Sequence, residues 1–430
     1  MGNNTVLSLV LSHSFQIFQT NSHQLGYVSY KFTDISIYKS VSSTLFSYNP
    51  HFDFSLSKSY FSHFLSSVIH INNDPDMVFK HRLFKTRKSL NDNFEYLIYR
   101  CRFFRCSGFG SASPYNSGGA LFIKASVTNS IINITESSFR SCRAPHFGGS
   151  VYYHGANCTI LKTEFINSSS QIGSIMVLIT DTIDPITGQN EYVMISNCLI
   201  WKCNDVFQGG SLLHGGFHLV SYTNWTKIVG NSQCFGPVFG LEDSRIFSMI
   251  YCRLYKVSGV DPIQIKGRNC TIIISDTVFQ NINTLSNGII IILASLTKVA
   301  MQNSIFKKSE KYYLYFANRG LLYLKNCYTD REDRIALINV DFSESEFNDI
   351  NEIKVHPYQF ADIREWQAAG GSTVTLSMSF SASQPFSPSH EFTDVRFDMY
   401  EKDWALYKKT LKATTAMLLT TIIEDVVLSL

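Results

Sequence analysis

One short pattern recurs along this chain and constrains its fold more than any other feature. It is seen whole in residues 133–153, NITESSFRSCRAPHFGGSVYY. With Ser137 as the reference, equivalent positions are Cys101, Thr163, Cys198, Cys252, Thr277, Ser304 and Cys327. Three residues before these eight stand Ile98, Ile134, Ile160, Ile195, Met249, Ile274, Met301 and Leu324, all large and apolar. Five before stand Tyr96, Ile132, Cys158, Val193, Phe247, Ile272, Val299 and Leu322. Two after stand Phe103, Phe139, Phe165, Ile200, Leu254, Phe279 and Phe306, and the series breaks at Thr329. The reference residue itself is always small or a thiol.

Successive reference residues are 36, 26, 35, 54, 25, 27 and 23 apart. A repeat of this length with one inward pattern is the signature of a solenoid. The interval of 54 predicts two repeats, one of them degenerate, around Trp225–Cys234. Apolar residues at −5 and −3 alternate with period two, so each repeat carries a β-strand with one buried face. The mostly polar residues at −1 (Arg100, Glu136, Lys162, Asn197, Asp276, Asn303, Asn326) should face solvent.

A second strand follows a glycine, at Gly118-Gly119-Ala120, Gly148-Gly149-Ser150, Gly173-Ser174-Ile175, Gly209-Gly210-Ser211 and Gly288-Ile289. Glycine there permits a bend that a Cβ would hinder. One repeat cannot bury its own apolar face, so repeats must stack on a shared core. The expected architecture is an all-β parallel β-helix of about ten rungs. Like stacks on like, giving a phenylalanine column and a Cys/Ser/Thr column.

The Gly-Gly-Ala-Leu of Gly118–Leu121, with Phe-x-x-Cys at Phe103–Cys106 and Phe139–Cys142 and the related Phe165-Ile-Asn-Ser, resembles the repeats of the polymorphic-membrane-protein family. Trichomonad surface proteins with Phe-x-x-Cys and GGA rungs are closer in style. The resemblance covers about residues 50–345. It implies a right-handed, pectin-lyase-like solenoid and an adhesin-like role at the cell surface. The family's asparagine in FxxN is mostly Cys or Ser here, and GGA is intact once. The sequence names no partner; host-surface glycans or proteins are the class that fits the resemblance, and no cofactor motif is found.

The net charge is +3, with 17% charged residues of both signs interspersed. That balance gives nucleic-acid binding no electrostatic support. Seven of the ten cysteines occupy the reference column or +5: Cys101, Cys106, Cys142, Cys198, Cys203, Cys252 and Cys327. Their alternation with Ser and Thr reads as small buried thiols rather than obligate disulfides. Sequons at Asn3, Asn133, Asn157, Asn167, Asn224 and Asn269 permit a secreted glycoprotein. Residues 1–11 lack a basic segment and a full apolar run, so they do not read as a signal peptide.

The expected organisation is an N-terminal cap or irregular first rung over residues 1–50 and a β-helix over 51–350. The rung at 52–71 fits the columns through Phe54, Leu56, Ser59 and Phe61, and Lys80–Lys88 reads as a solvated basic loop. The solenoid end and a Ser/Phe-rich linker follow at 351–400, with Phe380, Phe386 and Phe392 spaced by six. Residues 401–430 read as a C-terminal amphipathic helix, because Glu424 and Asp425 interrupt the apolar run.

For catalysis a β-helix needs clustered carboxylates on one face. Glu136 and Asp276 share the −1 column but are four or more rungs apart, too far for a dyad. The minor alternatives are calcium at Asp181 and Asp184, or a metal held by His146, His154, His214 and His218. The leading expectation assigns no catalytic, cofactor or metal residue and predicts a non-catalytic surface or secreted binding protein. Its rivals are a carbohydrate-active lyase or hydrolase and a truncated, non-functional family copy.

Overall fold

The computed structural model describes residues from Phe18 to Thr329, apart from 20–28, 41–42, 48–51, 73–93, 109–116, 126–129, 181–190, 209, 231–234, 267–269, 285–287, 293–296, 308–312 and 318–319. All of these lie in the first of two units, Met1–Trp366. The expectations for the linker, the C-terminal helix, Lys80–Lys88, Asp181 and Asp184 fall outside the described residues.

The protein is all-β. Its strands form three long parallel sheets, and no described residue is α-helical. The first sheet has eleven strands, from Ser29–Thr33 to Gly320–Lys325, and carries the −5 and −3 columns. The second also has eleven, from Ser36–Ser40 to Tyr328–Thr329, and carries the +2 column. The third has sixteen and receives the glycine strands, such as Leu121–Lys124 and Val151–His154. The chain visits the three in turn and then returns to the first. This is the connectivity of a β-solenoid, in which each circuit hydrogen-bonds to the next.

The register follows the sequence columns. Tyr96, Ile132, Cys158, Val193 and their successors are Cα partners, as are Ile98, Ile134, Ile160 and Ile195. All are buried. Phe61, Phe103, Phe139 and Phe165 form one stack, with centroids 5.5, 4.8 and 5.1 Å apart and planes within 13°. Each fully buried phenylalanine contributes about 1.5–3 kcal/mol of transfer free energy.

The long interval of 54 contains one complete circuit. Thr223 is its reference residue, Val220 stands at −3, His218 at −5 and Trp225 at +2. Trp225 pairs with Ile200 and Leu254 and is fully buried. Part of the expected cap is also a circuit. Tyr30, Phe32 and Ile37 pair with Phe54, Leu56 and Phe61, and Ile35 takes the reference position.

Gly148 has φ 62° and precedes Val151–His154. A Cβ there would strike the carbonyl oxygen of Val151, and one on Gly149 would strike that of Ser174 in the next circuit. Glycine is required here by both backbone conformation and close packing.

Candidate binding surface

The outer edges of the solenoid are built by two corners of unusual conformation. Among the described residues, 21 non-glycine residues have positive φ. Eleven of them form the −1 column: Asp34, Lys58, Arg100, Glu136, Lys162, Asn197, Tyr222, Tyr251, Asp276, Asn303 and Asn326. Nine more form a second column at +4: Lys39, His63, Arg105, Ser141, Asn167, Lys202, Lys227, Lys256 and Asn281. Left-handed backbone costs an ordinary residue about 1–2 kcal/mol. Twenty such residues in two files mark a repeated corner geometry rather than scattered strain.

The residue after each corner offsets that cost. Behind the −1 corner, Ser137 Oγ donates to the Thr135 carbonyl at 2.9 Å, and Thr163, Thr223 and Thr277 make the same contact at 2.8–2.9 Å. Cys101, Cys198 and Cys252 do so through Sγ at 3.3 Å. Behind the +4 corner, Cys106, Cys142 and Cys203 donate to the carbonyls of Phe104, Arg140 and Trp201 at 3.6–3.8 Å. Cys, Ser and Thr interchange because each is small and carries a donor. The nine described cysteines are free and buried. Burial pushes the thiols of Cys101, Cys198 and Cys252 up to about 12, partly offset by hydrogen bonds from backbone groups. None of these three is a thiolate nucleophile at neutral pH.

The backbone ladder continues around both corners. Glu136 N donates to Leu161 O at 3.0 Å, and Lys202 N donates to Thr226 O at 3.1 Å. Corner side chains are therefore held one rung apart, about 4.8 Å.

The two corners treat charge differently. At −1, three successive circuits alternate in sign. Glu136 sits between Arg100, at 2.7 Å, and Lys162, at 4.0 Å. Further along, Asn303 Nδ2 donates to Asp276 Oδ1 at 3.3 Å, and Asn326 Nδ2 to Asn303 Oδ1 at 2.6 Å. At +4 no described member is acidic, and no described member pairs with a carboxylate. Burial, then the charges of Arg105 and Lys39, lower the pKa of His63. Lys202 lies over the Trp201 ring at 4.5 Å, and Lys256 over Tyr255 at 5.2 Å.

The histidines weighed as metal ligands do not converge. His154 and His214 share a file, with Ile179 between them. His214 faces Glu242 at 4.0 Å, and His146 contacts Gln171 at 3.3 Å. His218 is inside the core, where burial lowers it to about 4. Among the described residues no three His, Cys, Asp or Glu side chains gather as a metal site. Glu136 and Asp276 stand five circuits apart, about 24 Å, so they form no dyad.

Of the described sequons, Asn167 is exposed at the +4 corner, while Asn133, Asn157 and Asn224 are part-buried within strands. No described helix is long and apolar enough to cross a membrane.

The +4 corner was missed in the sequence because its members lack hydrophobic character and contain no glycine. The recurrence of asparagine at Asn167 and Asn281 was the available signal, since asparagine tolerates left-handed backbone. The chain matches no protein-family model, no curated protein and no solved structure.

Proposed function

We propose that this protein is a non-catalytic, adhesin-like binding protein of the cell surface or secreted space, built as a right-handed parallel β-helix of about ten rungs. Its lateral edge is the recognition surface for glycans or proteins. The eleven strands in each of the first and second sheets support the rung count. The strong preference for right-handed crossovers between parallel strands supports the hand.

The observation that carries the binding reading is the asymmetry of the corners. On one edge Glu136 sits between Arg100 and Lys162 and neutralises charge across three circuits. The other stacks like charges with no internal partner, which costs stability unless an external ligand supplies the counter-charge. The resemblance to polymorphic-membrane and trichomonad surface proteins supports the location.

The test uses the full chain with an internal tag, stained on intact and on permeabilised cells. It is paired with binding of purified protein to cells and to a glycan and matrix panel. Surface staining with saturable binding is expected. Purely internal protein that binds nothing on the panel overturns the reading.

A further inference from the structure

We infer that the +4 corner, centred on Lys202, Lys227 and Lys256, is a docking edge for a linear anionic polysaccharide laid along the solenoid axis. The inference rests on the binding reading above and names the surface and the ligand class within it.

These three lysines occupy consecutive circuits, are all exposed, and have left-handed backbone with φ 53°, 55° and 54°. Their amides are bonded to the next circuit at 3.1, 2.9 and 3.0 Å. The three lysine backbones are therefore fixed in a row, about 4.8 Å apart. Like charges directly opposite on neighbouring strands are destabilising, and at the −1 corner Glu136 relieves this between Arg100 and Lys162. At +4 the compensation is missing. Aromatic rings on the outer face of the second sheet instead hold the lysines. Trp201 lies under Lys202 and within 5.8 Å of Lys227, and Tyr255 lies under Lys256. A cation over a ring is pre-positioned yet keeps its charge for another partner.

A second observation marks the same edge as a contact surface. Four large hydrophobic side chains are strongly exposed among the described residues: Tyr38, Leu65, Tyr192 and Val229. Three of them stand within two residues of a corner member, beside Lys39, His63 and Lys227. Among the three lysines the exposed apolar side chain is Val229, and a row of cations with an apolar group beside it suits a pyranose chain, which presents acidic groups at its rim and C–H faces between them.

The spacing favours a polysaccharide over the other polyanions. One cation per rung is close to one anionic group per sugar ring and linkage, whereas each strand of a duplex carries a phosphate every ~3.4 Å of its axis. An anionic membrane is a plane and would require a face rather than a single edge.

The experiment measures binding of the full chain to a size-defined sulfated or uronate oligosaccharide as a function of salt. The variant is Lys202→Asn, Lys227→Asn and Lys256→Asn together. Asparagine already occupies this column at Asn167 and Asn281, so the corner geometry is retained. The control carries Lys162→Asn and Lys266→Asn, which lie off this edge. The triple variant should bind about tenfold more weakly, and its slope of log affinity against log salt should fall by about 2–3. The control should match the wild type.

If wild type binds the oligosaccharide and the triple variant binds equally, or the control loses as much, the docking edge is wrong while the binding reading survives. If wild type binds only other members of the glycan and matrix panel, the ligand class is wrong. If wild type binds nothing, the parent reading falls with it. Tighter binding to single-stranded RNA or to anionic vesicles of equal charge density would overturn the polysaccharide assignment.

Discussion

The Cys101 backbone amide donates to Ser137 Oγ at 3.2 Å, linking the reference residues of two adjacent circuits. The same hydroxyl donates to the Thr135 carbonyl across the left-handed Glu136. One small polar side chain therefore fastens its own corner and the corner of the neighbouring circuit.

Ser137→Ala should cost about 1–2 kcal/mol, because a buried hydrogen-bonding pair loses its partner. Ser137→Cys keeps a donor toward Thr135 and should cost less. Urea midpoints at constant m-value measure both. Equal losses would mean that size alone governs the column.

Phe139→Ala should cost about 3–5 kcal/mol, since it opens a cavity between Phe103 and Phe165. Glu136→Asn loses two exposed ion pairs but places asparagine where φ is 50°. Its net effect should stay within about 0.5 kcal/mol. The same denaturation assay compares the two, and similar losses would contradict the inward and outward assignment.

Stability should fall with acid. Burial lowers His70 and His218 to about 4, while unfolded histidine titrates near 6.5. Between these values the unfolded chain binds protons that the folded chain does not. Stability is therefore complete above about pH 6.5 and declines toward pH 4, on the order of 3 kcal/mol for each group. His218→Leu should remove its share of that slope. An unchanged pH profile would show that the ring is not buried neutral.

The nine described thiols should resist alkylation at pH 7 in the folded protein and react together on unfolding. Mass spectrometry over a labelling time course reads this directly. Rapid single-site modification of Cys101, Cys198 or Cys252 would contradict their raised pKa values.

The inward columns were legible because core packing repeats residue types. Ile134, Phe139 and Ser137 announce their circuit by chemistry alone. The Thr223 circuit was legible only as a degenerate copy around Trp225–Cys234, because His218 and Trp225 fill inward positions elsewhere taken by aliphatic or phenylalanine side chains. The Tyr30–Ile37 circuit could be read only as a cap or an irregular first rung, because Ile35 replaces the small reference residue. The +4 corner was illegible for another reason. Left-handed backbone is imposed there by the ladder around it, so Lys202, Lys227 and Lys256 carry no local propensity for it. Only the stacked register brings these charges together.

The stacking itself is tested most directly by cross-linking. Arg140 and Ile166 are Cα partners on adjacent circuits, and Ile166 pairs in turn with Trp201. In-register neighbours lie about 4.8 Å apart and positions two circuits apart about 10 Å, against a disulfide limit near 7 Å. Under mild oxidation, Arg140→Cys with Ile166→Cys should form a disulfide in nearly all molecules, and Arg140→Cys with Trp201→Cys should not. Efficient bonding of the second pair, or failure of the first in folded protein, would contradict the stacked register on which every column and the cationic edge depend.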